Sequence, residues 1–304
     1  MSLLIVGTVA FDGIETPSGK VDKILGGSAT YISIISSYFN TSTNLISVVG
    51  GDFPKKYIKL FEKYGINCQG LEIKKNEKTF YWSGRYHENM KSRDTIVTEL
   101  NVLEKFNPKI PEPYQDCKHL MLANLMPSIQ LDAISKLKER PKLIVTDTMN
   151  FWIENCLVDL KKVISMTDVL IINDEEALQL SNKSSISDAS NIILEMGPRF
   201  LIIKRGESGA TLFKKNNQFD CCSFTVKSCI DPTGAGDSFA GAFVGYLNST
   251  DDTSFENMKK AVTLACTFAS FTVEGFGIDN ILNINNHSVE ERLKEIQIKN
   301  NSSK

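Results

Sequence analysis

Short, continuously apolar runs recur along this chain, and segments of helical length separate them. SLLIVGTVA opens the series. KHLMLANLMPSIQLDAISKLKER, PKLIVTDTMNFWI, CLVDLKKVISMTDVLIINDEEALQLS and SDASNIILEMGPRFLIIKRGESGATLFKKNN continue it. A run that is apolar at every position suits a strand buried on both faces, as in a parallel sheet. Strands joined by helices of this length call for right-handed crossovers. The expected fold is therefore α/β, a mostly parallel central sheet with helices on both faces. Ligands of such sheets collect at the carboxyl ends of the strands. This chain places polar residues there: Asn124 in LANLMP, and Asp147 with Asn150 in VTDTMNFW. Strand-end Asp and Asn also serve as ordinary caps and turns.

With 304 residues the chain can form one large domain or two modest ones, with a substantial core. A formal net charge of −2 gives no electrostatic case for nucleic acid or an anionic membrane as partner. The seven cysteines include no C-x-x-C pair, which points to reduced thiols in a cytoplasm. The N-terminal apolar run is short and meets Asp12 early, so it reads as a buried strand rather than a signal peptide. No transmembrane span is evident. His87, His119 and His287 lack metal-ligand spacing, which argues against zinc chemistry. Neither a Walker A string nor a G-x-G-x-x-G after a strand is present.

Between these runs lie other local signals. FDGIETPSGKVDKI is a polar segment with turn residues at Pro17-Ser18-Gly19, and GGSATYISIISSYFN reads as a Gly-Gly turn opening a helix. From about Gly70 to Thr98, LEIKK, KTFYWSGRYH and SRDTIVTEL alternate and read as an antiparallel β insertion. NDEEA offers Asn173 and Glu176 as a capping box. Thr253 with Glu256, and Ser288 with Glu291, are expected to cap two later helices, and the tail NNSSK to fray.

The stretch DPTGAGDSFAGAF, Asp231 to Phe243, follows CSFTVKSC, readable as a strand, and opens a run of small and apolar residues. It is a glycine-rich turn entering a helix. Gly234, Ala235 and Gly236 leave backbone N–H groups bare at a helix N-terminus, a place that welcomes an anion. Asp237 beside such a site suits a general base, with the amides stabilising charge on a transferring group. An ordinary turn and a close helix-packing face would use the same residue types.

The whole string resembles the C-terminal signature of the ribokinase-like (PfkB) carbohydrate kinases. The resemblance implies Asp237 as the base toward a substrate hydroxyl, and Gly234, Ala235 and Gly236 as the anion hole. It covers nearly the whole chain, from Asp12 to Gly277. It implies substrate contacts at Asp12, at the pair Gly26-Gly27, and at Asn124 and Asn150. Ser28 stands where many relatives carry asparagine or lysine, and TMNFW differs from ribokinase's Asn-Pro. Asn173 and Glu176 match an N-x-x-E motif that organises Mg²⁺ and its waters. Lys204, Gly206 and Gly209 match a loop bordering ATP, together with Asn173, Gly234 and Gly236. Asp231 and Thr233 are implied ligands of a monovalent cation, K⁺.

The family also implies one ribokinase-like domain over 1–304. Its small β lid would come from about 12–24 and 70–100, and such lids often pair two subunits into a homodimer. Tyr81, Trp82, Arg85 and Arg93 then face substrate or partner, or simply pack the lid. The implied activity is transfer of the ATP γ-phosphoryl group to a hydroxyl of a sugar or sugar-like molecule, in the cytoplasm. A nucleoside kinase of the same fold is an alternative, with lid aromatics stacking a base. A non-catalytic ligand-binding regulator is another.

Overall fold

The structure, a computed structural model, describes residues 2–302 apart from position 41. The apolar runs become the strands of a large sheet: β1 (Ser2–Val6), β4 (Ser42–Gly50), β5 (Ile66–Lys74), β8 (His119–Leu122), β9 (Leu143–Asp147), β10 (Val169–Asn173) and β11 (Phe200–Lys204). β12 (Ala210–Lys214) and β13 (Asn217–Cys221) complete it. The order is β13-β12-β11-β10-β9-β8-β1-β4-β5. All neighbours are parallel except β11–β12 and β12–β13, which are antiparallel. The chain leaves β1 toward β4 and β5, then returns on the other side as β8. Strand direction of travel therefore reverses between β1 and β8, the place where open α/β sheets form a crevice.

Strand side chains alternate between faces, and both faces are covered. Leu3 and Ile5 of β1, Val169 and Ile171 of β10, and Phe200 and Ile202 of β11 join one core cluster. Helices Ser28–Ser37, Ala235–Thr250 and Phe255–Thr272 supply much of the rest. Leu4 and Val6 point the other way, against helices Pro127–Ser135 and Leu157–Met166. Leu170, Ile172, Leu201 and Ile203 pack on helices Asp174–Ser181 and Ile186–Glu195. Double-sided burial is why these strands read as unbroken apolar runs.

A second sheet has four strands in the order β3-β2-β6-β7: β2 (Ala10–Thr16), β3 (Gly19–Gly26), β6 (Tyr81–Tyr86) and β7 (Arg93–Glu99). Pro17 and Ser18 make the turn of its first hairpin, and Asp12, a few residues past the end of β1, lies within β2. β2 pairs with β6 in parallel, so this sheet is not purely antiparallel. LEIKK does not belong to it. Leu71 to Lys74 run parallel to β4 at the edge of the large sheet, and their alternation reflects a strand with one open face.

Four smaller expectations also change. CSFTVKSC (222–229) is not a strand: β13 ends at Cys221, and the Cys222 amide donates instead to Asn300 Oδ1 at 2.7 Å. That same contact holds Asn300 in the final helix, which continues to Ser302; Ser303 and Lys304 lie outside the described residues. Ser254 rather than Thr253 caps helix Phe255–Thr272, because Asp252 holds its hydroxyl in place. Asn285, outside the final helix, takes the Ser288 amide.

Candidate active site

The polar residues end their strands at one edge of the large sheet. Asp147 closes β9, Asn173 closes β10 and Lys204 closes β11, with Asn173 and Lys204 in register. Into this edge comes the N-terminus of helix Ala235–Thr250. Gly234 precedes it in the left-handed region, φ 77°, where a side chain would be strained and would also overlap the Tyr31 ring. The turn is anchored from below. Asp231 is fully buried, its Oδ1 accepting the Thr233 amide at 2.8 Å and its Oδ2 the Gly277 amide at 3.3 Å. One expected donor is spent locally: the Ala235 amide bonds Pro232 O at 3.2 Å, closing the turn, so it is not bare.

Asp237 lies in the first turn of this helix. Burial pushes its carboxyl up to about 8; Asp147 adds to the rise, Lys204 opposes it, Asp12 adds and Arg93 opposes. Asp12, on β2, is also buried and raised to about 7, with the Gly27 amide opposing and Asp231 adding. The Gly-Gly pair makes room for it. A Cβ at Gly26 would overlap the Asp12 carboxylate, and Gly27 sits at φ 90° with a would-be Cβ 2.5 Å from Thr8 O. The first glycine thus serves Asp12 directly, a reason for it that the sequence does not disclose.

Glu176 and Asn173 form the expected capping box: Glu176 N donates to Asn173 Oδ1 at 2.7 Å, and Asn173 N to Glu176 Oε2 at 2.8 Å. Burial raises Glu176 to about 7, and Lys204 opposes that rise. The Lys204 ammonium lies 3.5 Å from Asp147 Oδ1. Burial works against its charge, yet Asp147, Glu176 and Asp237 hold it above the ordinary lysine value. A Cβ on Gly236 would lie 2.9 Å from Lys204 Nζ, so the ammonium hovers over the helix entrance.

The remaining expected residues divide. Gly206 (φ 54°) and Gly209 (φ 89°) shape the β11–β12 connection, and a side chain on Gly209 would overlap Cys221 O. Asn124 is engaged by its neighbours: its amide reaches Met149 Sδ at 3.3 Å, and Trp152 Nε1 donates to its Oδ1 at 2.8 Å. Asn150 is exposed, its oxygen accepting the Phe151 amide at 3.0 Å. In the small sheet, Tyr81 bonds Asp22, Arg85 pairs with Glu15, and Trp82 lies against Gly84. These three pack the sheet itself. Arg93 is different, stacked over Trp82 (5.5 Å) and Tyr86 (6.0 Å) and electrostatically coupled to Asp237 and Glu176.

Two residues escaped the sequence reading. The Tyr86 hydroxyl accepts from Thr233 Oγ1 at 3.1 Å, tying the small sheet to the glycine turn. Its signal was its alternation with Trp82 and Gly84 along one strand. The Tyr31 hydroxyl is buried without a hydrogen-bond partner among the described residues, and burial plus Asp12, Asp231 and Asp237 raise its phenol well above the usual range. Nothing in the sequence pattern sets Tyr31 apart from a core aromatic.

Among the described residues, no group of three or more His, Cys, Asp or Glu side chains is placed to hold a metal ion alone. Glu176 has one carboxylate oxygen engaged by its own cap. A donor set this small suits a divalent ion bound mainly through phosphates and water.

A family model described as pfkB family carbohydrate kinase matches residues 4–284. The cytidine kinase of Thermococcus kodakarensis is 28% identical over 252 residues, covering 81% of this chain and 88% of that protein. The nucleoside kinase of Burkholderia thailandensis, solved with inosine, superposes with a TM-score of 0.78 at 17% identity, covering 97% of this chain and 98% of the other. A putative ribokinase II from E. coli, solved with ATP and Mg²⁺, gives 0.76 at 22% identity and covers 98% of each chain.

Proposed function

The chain belongs to the pfkB family of carbohydrate kinases, and from that premise we propose that it transfers the ATP γ-phosphoryl group to a ribosyl hydroxyl, nucleosides first. The observation that carries the chemistry is Asp237 at the helix N-terminus, a carboxyl held near 8 beside backbone donors. The ionised carboxylate takes the proton of the acceptor hydroxyl as that oxygen bonds to phosphorus. The bond from phosphorus to the β–γ bridging oxygen breaks, and ADP leaves. The amides of Gly234 and Gly236 donate to the transferring group. Asp12 orients acceptor hydroxyls, Gly206 and Gly209 border the nucleotide, and Glu176 with Asn173 would hold Mg²⁺ through its waters. When bound, Mg²⁺ neutralises phosphate charge.

The nucleoside preference is supported by the names of the cytidine kinase and the nucleoside kinase above. Base stacking on Trp82 is not part of it, since that ring already carries Gly84 and Arg93. A K⁺ ion near Asp231 and Thr233 belongs to the reading, supported by a buried carboxylate beside the Thr233 hydroxyl whose hydrogen bonds, to the Thr233 and Gly277 amides, involve no cationic side chain among the described residues. So does a single kinase domain with the four-stranded sheet as lid. Dimerisation through β7 is supported by its exposed edge and the exposed Ile96 and Val97; a monomeric mass in solution would remove it. A reducing, cytoplasmic setting belongs to the reading, supported by the scattered cysteine spacing. No described helix is long and apolar enough to cross a membrane.

The test is ATP turnover over nucleosides, pentoses, hexoses, sugar acids and sugar phosphates, with Mg²⁺ and with or without K⁺. A nucleoside should react best, and Asp237→Asn should lower its turnover roughly 10²–10⁴-fold while ATP still binds. Turnover of that variant near the wild-type rate would remove Asp237 as the base. A hexose-only or sugar-phosphate-only profile would overturn the acceptor assignment.

A further inference from the structure

We propose that Lys204 is a catalytic residue whose ammonium touches the transferring γ-phosphoryl group, and that Asp147 is the positioning residue that aims it. The assignment rests on the kinase reading above and deepens it, because bordering the nucleotide would not need this geometry. Lys204 ends β11 and its side chain is largely buried, 19% exposed. An ammonium has three donors. Among the described residues its one side-chain hydrogen bond is to Asp147 Oδ1, at 3.5 Å, the long limit for such a bond. Two donors therefore remain for a ligand.

Position says which ligand. The ammonium sits over Gly236, where a mere Cβ would come within 2.9 Å of it. That is the first turn of helix Ala235–Thr250, beside Asp237 and facing the same space as the turn amides. A phosphoryl group passing from ATP to an acceptor held by Asp237 must cross that space. A buried ion pair contributes little to stability by itself, so this one is poorly explained as scaffolding. It is well explained as a fixed charge waiting for an anion. Lys204 keeps all three protons throughout, and the acceptor proton still goes to Asp237.

Asp237 is faced by Asp147, Lys204, Asp12 and Arg93, and these act on it with opposite signs. The two substitutions therefore have opposite signatures. Lys204→Met removes a charge that favours ionised Asp237, so the acid limb of kcat/KM moves to higher pH. Asp147→Asn removes one that disfavours it, so the limb moves to lower pH. Misfolding would not separate them in this way.

The experiment uses the full chain with Lys204→Met, Lys204→Arg and Asp147→Asn. Mg-ATP and Mg-ADP affinities are measured by calorimetry, and turnover is measured with the best acceptor found. For Lys204→Met, kcat should fall about 10²–10³-fold. Mg-ATP affinity should fall roughly tenfold and Mg-ADP affinity less than threefold, since only ATP carries the γ-phosphoryl group. Lys204→Arg should recover part of kcat, and Asp147→Asn should lose roughly tenfold. Equal losses for ADP and ATP, kcat within threefold of wild type, or limbs that move together would overturn the proposal. If the wild type binds both nucleotides but phosphorylates nothing, the acceptor assignment fails and the ATP-against-ADP comparison alone judges Lys204. If the wild type binds neither, the kinase reading falls and the Lys204 role falls with it.

Discussion

The two sheets of this molecule are held together by different physics. In the large sheet, β1, β8, β9, β10 and β11 bury nearly every side chain on both faces. In the small sheet, β2 is largely buried and Phe11 and Leu25 join the main core, but every residue of the outer strand β7 is exposed, and polar links such as the Lys91–Glu207 pair and the Tyr86–Thr233 bond reach the body. One sheet is a scaffold that cannot yield locally. The outer strand of the other, exposed throughout, can move at smaller cost. The candidate reactive groups lie where the two meet, Asp12 from the small sheet, Asp147 and Lys204 from the large one, and Asp237 from helix Ala235–Thr250.

This contrast can be broken on the large-sheet side. Leu4→Ala, at a fully buried position of β1, should lower stability by about 2–5 kcal/mol. Urea denaturation would read that loss, and turnover per folded molecule should survive. A cost below 1 kcal/mol would mean that β1 is less tightly packed than its burial implies.

A middle-sized effect belongs to the seam. Asp237 is raised from 3.8 to about 8, so the folded protein holds a proton there that the unfolded chain releases between those values. Stability from this group therefore falls as pH rises through that window and is level above it. Asp237→Asn removes the penalty. Its melting temperature should exceed that of the wild type by on the order of 5 °C at pH 8.5. At pH 5 the margin should be clearly smaller. A margin that is flat with pH would mean the carboxyl is not raised.

The smallest effect should come from the cover. Arg85→Ala breaks a pair whose arginine is 57% exposed, and should cost less than about 1 kcal/mol of stability. Its mark should be a higher KM for the acceptor. A loss comparable to that of Leu4→Ala would show that the small sheet is structurally part of the body.

The same contrast explains what the sequence disclosed. The buried strands were legible because double-sided burial leaves unbroken apolar runs, and the helices between them set the topology. Asn173, Glu176 and the turn before Asp237 were legible because capping and glycine chemistry are local. LEIKK was misplaced because an edge strand of the large sheet alternates just as a strand of the small sheet does. CSFTVKSC was misread because its β-branched content is shared by an extended segment tied to the tail helix. Tyr31, Tyr86 and the Lys204–Asp147 pair depend on side chains brought together from distant segments, and local pattern carries no such information. Gly26 shows the limit well: it is dictated by the Asp12 carboxylate on the neighbouring strand.

Asp12 and Asp237 with its glycine turn are separated by most of the fold, so the site closes only when distant segments meet. A ribosome delivers Asp12 long before Asp237. On the proposed mechanism, a polypeptide stopped before Asp231 lacks both the proposed base and the turn amides, and it cannot transfer phosphate.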